Sequence, residues 1–379
     1  MRTMKPTRSM MLVLCPMLVL GFLYYSSGRL HLRTWGQRPQ VDVDSSSSVG
    51  RIVASVYDKQ GFLIKPDGRL PLELQYKYGN LSKGECKPGY AEAKMMSVYP
   101  KFMKPAPMFL DRNYKRLSKI NTYPPPFGVK SQEKMIDIIL GEAKNYGLGG
   151  ELDSLSCKRC IIIGNAGILF NKSLGSKIDE YDVVIRLNEA PVSGYEKDVG
   201  SKTTMRITYP EGAIQKPELY EKSSLFVLSA FKPPDFKWLR HMVFKEKLQL
   251  TRRGSDGFWK SVARVVPREA ADMRILNPYF IQEAAFQFIG LPHNNGLMGR
   301  GNIPTLGTVA ITMALHNCDE VGVAGFGYDM SNPNAPLHYY EKLKMSAIKD
   351  SWTHNISKEK EFLQKLVTAG VIQDLTNGI

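Results

Sequence analysis

Cysteine is scarce in this sequence, with five in 379 residues. Cys15 lies in an uncharged run near the N-terminus, and the other four are Cys86, Cys157, Cys160 and Cys318. Four cysteines outside that run fit two disulfides in an oxidising compartment, and their spacing alone leaves all three pairings open. The Cys-x-x-Cys at 157–160 has neither a second Cys-x-x-Cys nor a spaced histidine pair to complete a tetrahedral site, so zinc is not expected.

Other patterns are absent as well. The loop after the first predicted strand lacks Gly-x-Gly-x-x-Gly, which argues against a Rossmann dehydrogenase. No run of Lys and Arg interleaved with aromatic residues stands out, so nucleic acid is not an expected partner. The formal net charge is nevertheless +15. Because the basic residues are spread along the chain, this charge suits an anionic substrate or a membrane-facing surface, or it serves solubility alone.

An uncharged run spans 9–28, with three basic residues before it and Arg29 after it. Twenty residues of helix span about 30 Å, the thickness of the hydrocarbon core. A cleaved signal peptide is the alternative, but the bulky end of the run is more typical of an aromatic belt at a membrane interface. We therefore predict a cytoplasmic tail over 1–8, a transmembrane signal anchor over 9–28 and a flexible stem over 29–57.

The residues after the anchor carry signs of the secretory lumen. Three Asn-x-Ser sequons, at Asn80, Asn171 and Asn355, are candidate glycosylation sites. Together with the even number of cysteines, they favour a lumenal orientation for the rest of the chain.

From residue 151 onward, apolar runs of strand length alternate with helical patterns. Strands are predicted at 160–163, 183–187, 205–208, 225–230, 274–276 and 321–324. Helices are predicted over 236–244 and 304–317, the latter with Asn302 as its cap. This alternation predicts a single Rossmann-like, doubly wound α/β domain with a mainly parallel central sheet over 151–379. Residues 58–150 are predicted to be an irregular N-terminal part of the lumenal domain, with one helix over 134–145.

Two asparagines follow predicted strands. Asn165 lies in a Gly-rich loop after the first strand, and Asn188 follows the second. Asparagine after a strand is also ordinary turn chemistry. Because ligands of open α/β sheets bind at the carboxyl ends of strands, the pair together favours a nucleotide site.

Two histidines lie downstream of this sheet, His338 in a loop and His354 just before an amphipathic helix. A loop histidine is most often a surface hydrogen-bonding residue. Histidine can also act as a base near neutral pH and as a cation toward phosphate, which makes both residues candidates for catalysis beside a nucleotide.

Four blocks of the sequence resemble, in order, the motifs of the animal sialyltransferase family. Residues 160–212 resemble its long motif and 304–327 its short motif. His338 to Glu341 resembles the third motif, and His354 with Glu359 five residues later resembles the very short motif. The likeness reaches both ends of the chain and is strongest to the branch that forms α-2,3 linkages on β-galactosides. It implies a GT-A-like variant of the predicted fold.

The resemblance also implies the reaction. Sialic acid would be transferred from CMP-sialic acid to the 3-hydroxyl of terminal galactose in Galβ1-3/4GlcNAc glycans of glycoproteins or glycolipids. His354 would be the general base with Glu359 orienting it, and His338 would donate to the departing phosphate. One displacement would invert the anomeric carbon. The residues implied in binding the CMP group are Asn165, Asn188, Thr305, Gly307 and Gly325.

Further expectations follow from the family. Its central disulfide corresponds to Cys160–Cys318, which leaves Cys86–Cys157 as the second pair. The location would be the Golgi membrane, as a single-pass type II protein with a lumenal catalytic domain. No cofactor and no metal are expected, because the only Asp-x-Asp, Asp42-Val43-Asp44, lies in the stem and the leaving group is a monophosphate.

Trp259, Asn277 and Tyr279 are weaker candidates for the acceptor or donor pocket, and packing near the sheet edge is the competing interpretation. The basic stretch 251–254 has no predicted role. An alternative function is a catalytically inactive lumenal glycan-binding protein with the same fold, which would tolerate the loss of His354.

Overall fold

The computed structural model describes residues 86–103, 106–248, 257–327, 331–350 and 353–379, together with a short antiparallel hairpin formed by Val56–Tyr57 and Leu63–Lys65. The predicted tail, the anchor and the stem up to residue 55 lie outside these residues, as do Asn80 and the basic stretch 251–254. In the part of the chain that the structure describes, no helix is long and apolar enough to cross a membrane.

A seven-stranded sheet forms the centre of the fold. Its strands are β1 (Arg159–Ile163), β2 (Val183–Leu187), β3 (Met205–Thr208), β4 (Leu225–Leu228), β5 (Met273–Ile275), β6 (Glu320–Ala324) and β7 (Gln373–Asp374). The spatial order is β5-β4-β3-β2-β1-β6-β7, and every pairing is parallel. The six predicted strands are confirmed within one or two residues. β7 was not predicted, because its two residues carry no apolar run.

In the described ranges, five longer helices accompany the sheet. They are α1 (Tyr90–Val98), α2 (Glu133–Ala143), α3 (Pro233–Val243), α4 (Leu306–Asn317) and α5 (Ile356–Thr368). Shorter helices are Ser118–Asn121, Gly150–Ser154, Gly175–Asp179, Glu196–Val199 and Tyr279–Gln282, the last continued by a π-helix over Glu283–Ile289. Turns of 3₁₀ helix lie at Tyr114–Arg116, Gly167–Leu169, Pro210–Gly212, Pro217–Leu219, Ala270–Asp272, Asn294–Gly296 and Met345–Asp350.

Side chains that alternate along the strands show that both faces of the sheet are covered. In β4, Val227 packs into the core with α1, α4 and α5, whereas Phe226 and Leu228 pack on the other face with α2 and α3. In β1, Ile162 joins the first core and Ile161 faces the two short helices that follow β1 and β2. Helices on both faces of a parallel sheet confirm the doubly wound α/β architecture.

The segment before β1 contributes directly to these cores. Met95 from α1 and Phe102 pack in the first core, and Ile136 and Ile139 from α2 pack in the second. This segment is therefore integral to the domain, and its described residues include two longer helices, α1 and α2, among shorter helices and irregular stretches.

Two disulfides brace the fold. Cys86 is bonded to Cys157, and Cys160 in β1 is bonded to Cys318, the residue that ends α4. Both pairings agree with those implied by the family. Cys160–Cys318 closes a separation of 158 residues, for which loop-closure entropy corresponds to about 5 kcal/mol, although that account of disulfide stability is disputed.

The strand order creates a crevice at the carboxyl ends of the strands. The chain runs outward from β1 to β5 and then returns to place β6 on the other side of β1. Connections on either side of such a reversal diverge, which leaves an opening between β1 and β6. The residues that follow β1, β2 and β6 therefore form the candidate site.

Candidate functional site

Backbone hydrogen bonds join the loops that follow β1 and β6. Gly164 donates its N–H to the carbonyl of Ala324 at 2.8 Å, and Ala166 donates to Gly325 at 3.1 Å. A Cβ on Gly164 would lie 2.3 Å from the Gly325 carbonyl oxygen, and Gly325 itself has a φ of +76°. Only glycine fits this close approach without strain, so both residues shape the floor of the crevice.

Asn165 presents an unsatisfied acceptor at this floor. Its backbone carbonyl accepts from the N–H of Tyr339 at 3.1 Å. Its side-chain Oδ1 is buried and has no hydrogen-bond partner within the protein. Because buried polar atoms are normally paired, Oδ1 is suited to accept a hydrogen bond from a ligand or a water molecule.

The same loop brings His338 to the crevice. Ala166 and His338 form an antiparallel bridge, and Gly167 donates to the carbonyl of Leu337 at 3.1 Å. His338 Nδ1 contacts the carboxylate of Glu341, and its ring stacks on Tyr340 at 5.4 Å. With Nδ1 paired to a carboxylate, Nε2 is the nitrogen that remains to meet a ligand.

Asn188 is held in an unusual backbone conformation after β2, with a φ of +53°. Buried Arg206 fixes it by donating to the Asn188 carbonyl at 2.7 Å and to that of Ala190 at 3.0 Å. The Asn188 side-chain oxygen accepts from Thr208 at 3.3 Å. A Cβ on Gly212 would come within 2.5 Å of that same oxygen.

Arg186 and Arg206 were not identified from the sequence, although both are charged residues within runs predicted as buried strands. They are 2% and 1% exposed. Arg186 donates to the carbonyls of Gly200 and Lys202, and Arg206 pairs with Glu221. Burial and the neighbouring Arg206 lower the pKa of Arg186 to about 10. An arginine inside an apolar strand run is the signal that indicates such a buried network.

Helix α4 begins at the same edge, with Thr305 as its cap. The Thr305 hydroxyl accepts from the N–H of Thr308 at 3.3 Å. The prediction of Asn302 as the cap is wrong, because its side chain is buried and pairs with Gly299 and Leu297. Gly307 lets the helix approach Phe326, whose Cε1 would be 2.7 Å from a Cβ at that position.

Glu359 is buried beneath the start of α4. Its carboxylate accepts from the Thr305 N–H at 2.9 Å, from the Thr305 hydroxyl at 2.6 Å and from the Thr308 hydroxyl at 2.5 Å. Burial raises the pKa of Glu359, and these hydrogen bonds and nearby His354 oppose the shift. The hydrogen bonds join Glu359 to the cap of α4. Glu359 and His354 also interact electrostatically.

His354 lies just before α5 and contacts the segment that precedes α4. Its Nδ1 is 2.9 Å from the carbonyl oxygen of Ile303. A carbonyl oxygen can only accept a hydrogen bond, so Nδ1 carries the proton. In the neutral ring the lone pair is then on Nε2, as a general base requires.

A cavity lies between the start of α4, the loop after β6 and the start of α5. It is lined by Thr305, Thr308, Phe326, Gly327, Ile356, Glu359, Lys360, Leu363 and Ile379. The chain end contributes because Asp374 accepts from the N–H groups of Thr376, Gly378 and Ile379. The cavity therefore connects the start of α4 with the loop after β6.

The three weaker candidates lie in different surroundings. Asn277 is completely buried, donates to the carbonyl of Pro107 and accepts from the Tyr279 N–H. Tyr279 is half-buried and packs against Phe280 and His316. Both positions favour packing over ligand binding, whereas Trp259 is 59% exposed.

Two of the predicted glycosylation sites are described. Asn171 is exposed, with its N–H donating to Asp198. Asn355 is half-buried and caps α5 by accepting from the Lys358 N–H at 3.1 Å. Of the two, Asn171 is therefore the more accessible to a glycan.

Comparisons with known proteins identify a matching family profile and similar sequences. A family profile described as Glycosyltransferase family 29 (sialyltransferase) matches residues 109–371. The CMP-N-acetylneuraminate-beta-1,4-galactoside alpha-2,3-sialyltransferase of Homo sapiens is 63% identical over 372 residues, 98% of this chain and 98% of that protein. The lactosylceramide alpha-2,3-sialyltransferase of Rattus norvegicus is 42% identical over 78% of this chain and 76% of that protein.

The fold has a solved counterpart. A crystal structure of a mammalian sialyltransferase superposes with a TM-score of 0.52 at 24% sequence identity, covering 73% of this chain and 92% of that one. At this identity the likeness establishes the fold.

Proposed function

The chain belongs to glycosyltransferase family 29, the sialyltransferases, and we propose that it transfers sialic acid from CMP-sialic acid to the 3-hydroxyl of terminal galactose in Galβ1-3/4GlcNAc glycans. The acceptors would be carried by glycoproteins, and by glycolipids as a further class. The relative at 63% identity is named for transfer to a β-1,4-galactoside in an α-2,3 linkage.

The main structural support is that two histidines reach one edge of the sheet by separate routes. His338 pairs with Ala166 after β1. His354 contacts Ile303, just ahead of the α4 cap. Gly307 near that cap faces Leu187 at the end of β2 and Phe326 after β6. This arrangement supports a role for one histidine as a base and for the other as a hydrogen-bond donor to phosphate.

In the proposed reaction, Nε2 of His354 takes the proton from the galactose 3-hydroxyl as its oxygen attacks the anomeric carbon of sialic acid. The bond from that carbon to the phosphate oxygen breaks, and CMP departs with the electron pair. His338 donates to the phosphate, so the developing negative charge meets a preorganised donor. One displacement inverts the anomeric centre, and no covalent intermediate is required.

CMP would lie over the loops after β1 and β2. Asn165 Oδ1, buried and unpaired within the protein, would accept a hydrogen bond from the nucleotide. Asn188, held by Arg206, would contribute from the β2 side. Gly325 would allow close approach of the backbone, and the start of α4 with Thr305 and Gly307 would favour the anionic phosphate.

The purified full-length protein in detergent provides the direct test. Incubation with CMP-sialic acid and N-acetyllactosamine should yield an α-2,3-linked product and CMP. A protein that binds the glycan but forms no product would support the alternative, an inactive glycan-binding protein of the same fold.

Replacing Asn165 with alanine should raise the KM for CMP-sialic acid about tenfold, because one hydrogen bond from a buried acceptor is lost. Steady-state kinetics with the donor as the varied substrate measures this change. Asn145, an exposed residue after α2, supplies a control in Asn145→Ala, which should leave both KM values unchanged. A rise confined to the acceptor KM would argue against CMP binding at Asn165.

Activity should be retained when EDTA is added in excess over trace divalent ions. Within the described ranges, no three His, Cys, Asp or Glu side chains are grouped as metal ligands. A monophosphate leaving group can be stabilised by histidine and helix N–H groups. Initial rates with and without chelator should agree, and a loss reversed by added Mn²⁺ or Mg²⁺ would contradict metal independence.

We further propose a Golgi location with the catalytic domain in the lumen. The disulfides Cys86–Cys157 and Cys160–Cys318 are compatible with an oxidising lumen. The anchor over 9–28 remains a prediction from the sequence. Protease protection of the catalytic domain in intact Golgi vesicles would support this topology.

A further inference from the structure

Trp259 is an exposed aromatic residue for which the proposed mechanism gives no role. It is 59% exposed, whereas Trp238 is buried and donates its indole N–H to the carbonyl of Ala263. Exposed indole rings have a large apolar face that favours binding partners with apolar surfaces of their own.

The Trp259 ring is held in place from beneath. The ammonium group of Lys232 lies 3.9 Å from the ring centroid, within the range of a cation–π contact. Glu211 pairs with Lys232 at 2.8 Å and also accepts from the backbone N–H of Trp259 at 3.2 Å. Asp235 pairs with Lys232 at 2.8 Å, and the carboxylates of Glu211 and Asp235 are completely buried. The ring is therefore preorganised, which lowers the entropy cost of binding.

This platform, defined as Trp259 with Lys232 and Glu211, lies beside the candidate donor site. Glu211 follows β3 and Lys232 follows β4, so both come after carboxyl ends of strands. Lys260, next to Trp259, is 3.9 Å from Glu189, the residue after Asn188. The Tyr209 ring, just after β3, is 5.8 Å from the Trp259 ring.

The charges around the ring decide which substrate it suits. Lys232 and Lys260 face three carboxylates, those of Glu189, Glu211 and Asp235. Among the described residues around the ring, each of these ammonium groups is paired with a carboxylate and so offers no unpaired charge to the anionic donor. A neutral sugar ring with an apolar C–H face is compatible with such a surface.

We propose that Trp259 is a binding residue for the acceptor, stacking on a neutral sugar ring of the galactose-terminated glycan while Lys232 and Glu211 position the indole. This assignment rests on the proposed function, because the acceptor of that reaction is a neutral glycan. It adds a subsite beside the carboxyl ends of β3 and β4.

Replacing Trp259 with alanine in the full-length protein should raise the KM for N-acetyllactosamine about tenfold, the change that corresponds to losing one aromatic contact. The KM for CMP-sialic acid should stay within twofold of the wild-type value. Trp259→Phe should recover most of the acceptor affinity, because it keeps an aromatic face. Leu155, an exposed apolar residue before β1, provides the control Leu155→Ala, which should change neither KM.

The experiment distinguishes failure of the Trp259 assignment from failure of the proposed transferase function. If the wild-type protein forms product but Trp259→Ala leaves the acceptor KM unchanged, or raises the donor KM instead, the stacking assignment is overturned and the transferase function stands. If the wild-type protein forms no product, both fail. Trp259→Leu keeps apolar bulk without an aromatic ring, and should also raise the acceptor KM if the alanine variant does not fold.

Discussion

Replacing His354 with alanine is expected to lower kcat for sialyl transfer by about 10²–10⁴-fold, the usual loss when a general base is removed. The Nδ1 contact with the Ile303 carbonyl fixes the tautomer and leaves the lone pair on Nε2. Alanine cannot take the proton from the galactose hydroxyl. The KM values for donor and acceptor should change much less than kcat, because binding uses other residues.

A second histidine provides the matched control. His241 lies in α3 and is paired with Glu246, near the end of the helix that points away from the carboxyl edge of the sheet. His241→Ala should leave kcat within about threefold of wild type. A similar small effect from His354→Ala would show that another group accepts the proton, and the base assignment would then be wrong.

The second large effect is expected at Glu359. Glu359→Ala removes the acceptor for the Thr305 N–H and for the hydroxyls of Thr305 and Thr308. Buried donors left without a partner cost about 1–3 kcal/mol each. The free energy of unfolding should fall by several kcal/mol, and kcat should fall because the start of α4 shifts beside His354.

Denaturant unfolding monitored by fluorescence, together with initial rates, measures both consequences. Glu361 lies on the same helix and is exposed, so Glu361→Ala should change the unfolding free energy by less than about 0.5 kcal/mol. A Glu359→Ala variant with wild-type stability and wild-type kcat would contradict the role assigned to Glu359 in holding α4.

The raised pKa of Glu359 also gives a pH dependence with a definite sign. Between its ordinary value of 4.5 and the raised folded-state value, the native carboxyl holds a proton that the unfolded chain has released. The unfolding free energy then decreases as pH rises through this window. Relative to Glu359→Gln, which does not titrate, the wild type should lose stability from about pH 4.5 upward. If the unfolding free energy of the wild type instead rose relative to Glu359→Gln over that pH window, the folded-state pKa of Glu359 would be lowered.

Much of the sheet could be predicted because its strands are buried on both faces. Runs such as those in β2 and β4 contain few polar residues, and the order of strands and helices then limits the topology. β7 could not be found this way, since Gln373 is exposed and the strand is held by pairing with β6. Its position depends on tertiary contacts that local sequence does not encode.

The candidate site was predictable in its asparagines and histidines, but not in the groups that hold them. Arg206 in β3 donates to the carbonyl of Asn188, which follows the neighbouring strand β2. Glu359 in α5 accepts from Thr305 at the start of α4. Such contacts join residues far apart in sequence. The disulfide pairing likewise came from the family resemblance, because four cysteines leave three pairings open.

The position of the two disulfides has a practical consequence for making the protein. Cys157, Cys160 and Cys318 all lie at the amino ends of β1 and β6, opposite the edge that carries the candidate site. Cys318 anchors the far end of α4, the helix whose first residues meet Glu359. In a reducing bacterial cytosol the Cys160–Cys318 disulfide would not form. A secretory host and buffers without thiol reductants are therefore the appropriate choice for obtaining active protein.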